Sequence, residues 1–418
     1  MDPRFGPWPC QKDGPGNNRG SPCPNRGEGH RVKDRVEKFR EEDTMQAVRL
    51  FEQRLSRRYF LQRAGAVLAT TAFGGLHLPT YSVAQTRKFQ GESLNILTWA
   101  DHGEEKVLGP FKEKYGVRIN VKEYEISGVA IAQLQQSRPG DWDVLVIDDA
   151  DIPRVVEMGL IQPLDKTRFD LSGFWPEYQK LSTVYRGETM YAIPTKFGYQ
   201  CLAYNTEKVD PKDLESYAIL WSDKYSGKIG VYDYFLQIIE MLGLYLGIKP
   251  GPMSDTDLNR VKELLLKIKK HTSVIGDVPT VQQALLNESA YIIAGGAEYA
   301  VAGLMADGHP VDWTMPKEGA IRWNETVTIV AHTRKKALAE HLLQYYISPE
   351  GQARLATAEA YWGMPTNQKA GEILTDKQKR ILRWEHQPAY LARSLNKVAV
   401  SSEEERKWED GWREFLQA

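Results

Sequence analysis

Trp99-Ala100-Asp101-His102 and Asp148-Asp149-Ala150-Asp151 gather carboxylates near an indole and an imidazole, the residue types with which proteins recognise small cations. Carboxylates replace the water around an ammonium group, and an aromatic face holds its methylenes while adding about 0.5–2 kcal/mol of cation–π attraction. Each residue also has a structural use. Trp99 suits core packing at a strand end, and His102 suits solvent as well as a ligand or a metal. Asp151 stands before Ile152-Pro153, the pattern of a helix N-cap with proline in the first turn, so one of Asp148 and Asp149 is the acid expected to face a ligand. No C-x-x-C, H-E-x-x-H or G-x-S-x-G occurs, and Gly295-Gly296 lacks the Gly-Lys-Ser/Thr of a phosphate loop. Neither catalysis nor a cofactor is expected.

The elements around these loops read as βαβ units. Leu94–Trp99 is a short apolar strand; Glu104–Tyr115 then places Val107, Leu108, Phe111 and Tyr115 on one helical face, and Gly116 stops it before a strand over Val117–Tyr124. A helix over Ala130–Gln136, a strand over Trp142–Ile147 and a helix from Ile152 to Met158 repeat the pattern. Strands alternating with short helices predict a largely parallel sheet, and ligands of such sheets sit where strands end in loops. A second α/β region starts at Ile229-Gly230-Val231-Tyr232 with the apolar helix Phe235–Leu246, and includes the amphipathic helix Leu258–Ile268 and the strand Tyr291–Ala294. Between the two regions, Pro194 and Gly198 are expected to break the extended segment Ala192–Gly198. Tyr345-Tyr346 falls on an amphipathic helix, Leu338–Tyr346, and is expected to pack.

The formal net charge of −1 gives no reason to expect nucleic acid as a partner. The first 84 residues hold 14 Lys and Arg against 9 Asp and Glu, which leaves about −6 on the rest. Residues 1–44 are rich in Gly, Pro and charge and have no apolar face, so they read as disordered or as a mis-assigned extension, with translation starting at Met45. Ser56-Arg57-Arg58-Tyr59-Phe60-Leu61 precedes the apolar stretch Ala64–Leu78 and the small-x-Ala pattern Ser82-Val83-Ala84. That order predicts a twin-arginine signal peptide over residues 45–84, cleaved near Ala84, with the translocase as partner during export. Only Cys201 lies beyond it, so the exported chain cannot form an internal disulfide.

Seven short segments follow in order: Leu97–Asp101, Trp142–Val146, Gly159–Asp165, Tyr191–Pro194, Tyr225–Ile229, Pro316–Gly319 with Trp323, and Met364–Asn367. Together, and behind an export signal, they resemble the periplasmic polyamine-binding proteins, the spermidine/putrescine receptors of ABC importers. The resemblance implies a type II periplasmic-binding fold, α/β in class, with two α/β lobes joined by a hinge and a ligand cleft between them. Lobe 1 would comprise residues 93–197 plus 325–418, covered by the C-terminal helices, and lobe 2 residues 198–324. By position it implies ligand contacts at Trp99, Asp101, His102, Asp148, Asp149, Asp233, Tyr234, Gln237, Trp323, Glu325, Trp362 and Met364. The chain departs from the family where Tyr234 and Gln237 replace an acid pair, Ala294 an aromatic shelf and Met364 a tyrosine. The implied function is capture of a polyamine or related cation by a monomeric periplasmic protein that delivers it to an ABC permease in the inner membrane. A metal ion or an organic anion is the alternative solute, with Lys196 and Arg322 beside the crossings as the groups an anion would need. An exported cofactor enzyme is the third reading.

Overall fold

The computed structural model describes residues 87–418; the twin-arginine segment, its cleavage pattern, Met45, Cys10 and Cys23 lie outside the described residues. β1 (Ser93–Thr98) buries Leu94, Ile96 and Leu97 and runs into a single helical turn, Ala100–Gly103. The helix Glu105–Tyr115 buries Val107, Leu108 and Phe111, as the spacing predicts, and ends on Gly116 in the left-handed region at φ 63°. β2 (Arg118–Glu123) and β3 (Val144–Asp148) lie parallel to β1 on its two sides. After a two-residue hairpin pair, β4 (Tyr185–Arg186) and β5 (Thr189–Met190), the nine-residue β6 (Ala192–Gln200) crosses to a second sheet. That sheet holds β7 (Leu202–Asn205), β8 (Ile229–Tyr232), β9 (Thr272–Gly276), β10 (Ile292–Ala294) and β11 (Val311–Thr314), in the order β11-β7-β10-β8-β9. The ten-residue β12 (Ala320–Ile329) returns to the first sheet, where β13 (Met364–Pro365) and β14 (Ser394–Asn396) complete the order β13-β6-β12-β3-β1-β2 with β14 also on β12.

Two sequence expectations change here. The first sheet is mixed, not largely parallel, because the outgoing β6 and the returning β12 run antiparallel to each other and β12 runs antiparallel to β3. Nor do Pro194 and Gly198 break β6. The β12 register skips from Lys196 opposite Glu325 to Pro194 opposite Thr326, so Thr195 is the extra residue of a bulge, which gives a proline without an N–H a place in an interior strand. Gly198 serves a different need: a Cβ there would fall 1.8 Å from Glu298 Oε1 and 2.2 Å from the Trp323 ring.

Among the helices that follow β12, Lys336–Tyr346 packs against β12 itself, whereas the final helix Ser402–Gln417 lies against Phe235–Tyr245 and Asp255–Lys269, beside the second sheet. The chain end therefore covers the second region, not the first as the resemblance implied. Among the described residues, no helix is long and apolar enough to cross a membrane.

Candidate functional site

The β12–β6 bulge sets the first cluster. It presents Thr195 and Lys196 beside Glu325, and the helical turn after β1 brings Asp101 and His102 to the same place. Lys196 is fully buried, and its ammonium bonds the Asp101 carboxylate, stands 3.5 Å from Glu325 Oε2 and lies 3.8 Å from the centre of the Tyr361 ring. The Tyr361 hydroxyl stands within hydrogen-bond distance of both acids, 2.9 Å from Asp101 Oδ1 and 2.6 Å from Glu325 Oε1. His102 Nδ1 is 3.0 Å from Asp101 Oδ1 and Nε2 is 2.9 Å from Thr195 Oγ1, while the Tyr346 hydroxyl donates to the His102 carbonyl at 2.7 Å.

Electrostatics divides the two acids. Burial pushes the Asp101 carboxyl up, but His102 and Lys196 more than reverse this and hold it below the usual carboxylate range. Burial, reinforced by the Asp101 charge, pushes Glu325 well above its ordinary value, and burial also lowers His102. Lys196 and Asp101 thus form the ion pair of the cluster, while burial disfavours charge on both Glu325 and His102. Asp101, His102 and Glu325 offer ligand atoms within 4.8 Å of one another, a spacing that suits a metal ion. Lys196 already meets that carboxylate charge.

The second cluster forms where β3 ends. Lys397, which follows β14, donates to Asp148 Oδ2 at 2.5 Å, and its ammonium stands 5.6 Å from the centre of the Tyr234 ring. Burial pulls the Lys397 ammonium down, yet Asp148, Tyr234 and Asp151 raise it well above its ordinary value. Asp149 turns the other way, accepting from Thr183 Oγ1 at 2.7 Å and Asn324 Nδ2 at 3.1 Å; burial pushes it up to about 6 against those bonds. Asp151 begins the Ile152–Glu157 helix without a side-chain cap bond, so its expected capping role is not realised. It lines a cavity of about 80 Å³ with Ser127, Tyr234, Glu240 and Lys397. Burial raises its carboxyl, with Lys397 opposing.

The remaining residues of the expected site have other surroundings. Trp99 is half-buried with its ring 5.3 Å from Tyr124. Trp323 is buried, edge-on to Tyr299 and Tyr361, and lies against the backbones of Gly198 and Gly363, where added Cβ atoms would collide with it. Asp233 is exposed and accepts the Trp412 indole N–H at 3.0 Å, an anchor for the final helix. Gln237 is buried with Oε1 unpartnered. Met364 is fully buried opposite Phe197, and the partly buried Trp362 packs on the core. Arg322 turns toward Asn396 at 2.8 Å and Ser394 at 3.2 Å, away from both acid clusters. Sequence reasoning missed Tyr361, Lys397, Glu240 and Glu298. Glu240 and Glu298 carried a legible sign, each being a lone acid in an apolar run; Tyr361 is one residue from the expected Trp362, and Lys397 had no local sign.

Residues 106–381 match the family model for bacterial extracellular solute-binding proteins. The spermidine/putrescine-binding periplasmic protein of Escherichia coli (strain K12) is 22% identical over 271 residues, covering 64% of this chain and 76% of that protein. The putrescine/agmatine-binding protein of Pseudomonas aeruginosa is 21% identical over 323 residues, covering 72% and 84%. The solved structure of a spermidine/putrescine ABC transporter substrate-binding protein from Streptococcus pneumoniae superposes with a TM-score of 0.67 at 17% identity, over 78% of this chain and 99% of that one. It shares the fold described above.

Proposed function

The chain belongs to the family of bacterial extracellular solute-binding proteins, and from that premise we propose that it captures a small cationic solute, a polyamine or related amine, between its two lobes for delivery to an ABC permease in the inner membrane. The observation that carries the choice of a cation is the charge between the lobes. With Lys196 met by Asp101 and Lys397 by Asp148, the acids Asp151, Glu240 and Glu405 outnumber Arg154 around the cavity, and Tyr234 supplies an aromatic face. Relatives that carry spermidine, putrescine and agmatine in their names support the same chemistry. The anion alternative loses support because Lys196 already serves Asp101 and Arg322 turns toward Asn396.

The working arrangement in this reading is a periplasmic monomer, exported by the twin-arginine translocase and cleaved near Ala84. Residues 93–197 with 325–401 act as one lobe and 198–324, covered by the helix Ser402–Gln417, as the other, closing about the segments at Gly198 and Trp323–Glu325. Trp99, Trp323 and the acids around the second cluster's cavity are the contacts we assign to the solute or to its immediate surroundings. The test is thermal and calorimetric titration of the mature chain with spermidine, putrescine, agmatine, amino acids and divalent metals. An amine at 100 times its dissociation constant adds about 2.7 kcal/mol of stability. A flat response to every amine sinks the proposal, and a response to a metal alone replaces it.

A further inference from the structure

The first cluster already holds its own cation, since Lys196 bonds Asp101 and stands 3.5 Å from Glu325 Oε2. Asp148 is likewise met by Lys397. Glu240 differs from both. It lies on the helix Phe235–Tyr245 with Ile238, Ile239, Met241 and Leu242 buried around it, is 2% exposed, and has no side-chain partner for its carboxylate, only the backbone N–H groups of Val398 and Gly251 nearby. A charged side chain so buried is normally paired.

Its surroundings explain the exception. Glu240 lines the 80 Å³ cavity, into which residues 126–128, Ala150, Asp151 and Arg154 come from the first sheet's side, Tyr234 and Leu236 from the second, and residues 397–400 with Glu405 and Trp408 from the chain end. Asp151 and the Ser127 hydroxyl stand on the first-sheet wall and the Tyr234 ring beside Lys397. We propose that Glu240, with Asp151 on the facing wall, forms the subsite for the ammonium or guanidinium head of the solute, with the segment Lys397–Val400 as its roof. The cavity has room for such a head group, and the rest of the solute would extend along the interface between the lobes. The assignment rests on the cationic reading above, and it moves the charge-bearing contact of the second lobe to Glu240, away from Asp233, Tyr234 and Gln237.

The test compares the mature chain with Glu240→Gln and Asp151→Asn in calorimetric titrations with spermidine, putrescine and agmatine, and in melts with methylammonium chloride against sodium chloride at equal ionic strength. The expected result is an amine that binds the parent and binds Glu240→Gln at least tenfold more weakly, Asp151→Asn falling between, with the unliganded variants melting no lower than the parent. Retention of parental affinity within twofold by Glu240→Gln overturns the subsite and leaves the cationic function standing. If no polyamine binds but methylammonium stabilises the parent and not Glu240→Gln, the subsite stands and the choice of polyamine falls. If neither probe acts on the parent, both fall. A Glu240→Gln chain that fails to fold shifts the comparison to Asp151→Asn, for which a loss of threefold or more supports the subsite and an unchanged affinity overturns it.

Discussion

Two lysines enter two acid clusters, and the clusters come out differently. Lys196 is delivered by a bulge in the middle of a strand, meets Asp101 and Glu325 under Tyr361, and leaves a closed box with Glu325 Oε2 lacking a hydrogen bond. Lys397 comes from the chain end, meets Asp148, and leaves Asp151 and Glu240 facing a cavity. The same residue types at similar burial therefore make a structural joint in one place and a receptive surface in the other. Charge count, not residue type, separates them.

The widest gap is expected between the two lysines themselves. Lys196→Met leaves a buried carboxylate without its cation and should cost about 3–5 kcal/mol in urea unfolding, most of it recovered in the Lys196→Met, Asp101→Asn double variant. A cost below about 1 kcal/mol would erase the distinction between the clusters. Lys397→Met should cost less, about 1–3 kcal/mol, because the acids it leaves have a cavity between them and can take up protons; its deficit should shrink from pH 8 to pH 5. An equal deficit at both pH values would argue that Asp148 alone sets it.

Acidity sharpens the contrast further. Burial pushes Glu240 up to about 7 and Glu298 up to about 8, above the ordinary 4.5, so the folded chain holds protons that the unfolded chain has released. That stabilisation is full below about pH 4.5 and is lost as pH rises through 7 to 8, so stability should fall over this window. Glu298→Gln should flatten the slope and gain about 1–3 kcal/mol at pH 8, the amide oxygen still accepting the Tyr199 N–H that the carboxylate now accepts at 2.9 Å. The smallest effect belongs to Glu325→Gln. An amide resembles the protonated acid, so unfolding should change by no more than about 0.5 kcal/mol. A loss above 2 kcal/mol would mean that Glu325 is ionised and that the box carries an extra negative charge.

Much of this architecture was legible before any coordinates. Helical spacing located the Glu105–Tyr115 face, Gly116 its end, and the apolar run before Asp148 a buried strand, because local periodicity and turn chemistry decide such elements. The bulge at Thr195 was not legible, since it depends on which strand lies opposite; Pro194 read alone suggests a break. Asp101, His102 and Glu325 were each named and do converge. What filled the space between them was seen only as a cation beside a crossing, since the direction of the Lys196 side chain follows from the bulge register. Asp233 misled because an acid after a strand looks the same whether it waits for a solute or for Trp412, and Lys397 comes from a segment with no pattern of its own.

The contact between Lys397 and Asp148 spans 249 residues of sequence, and β14, which joins β12 in parallel, comes from near the end of the chain. On a growing chain this closure is therefore among the last events. On such a chain the residues of both sheets up to β12 are available before the segment that roofs Glu240. A growing chain should accordingly hold most of its strands before it acquires a finished solute pocket, and Trp412, docked on Asp233 by the same final segment, marks the moment when the pocket is complete.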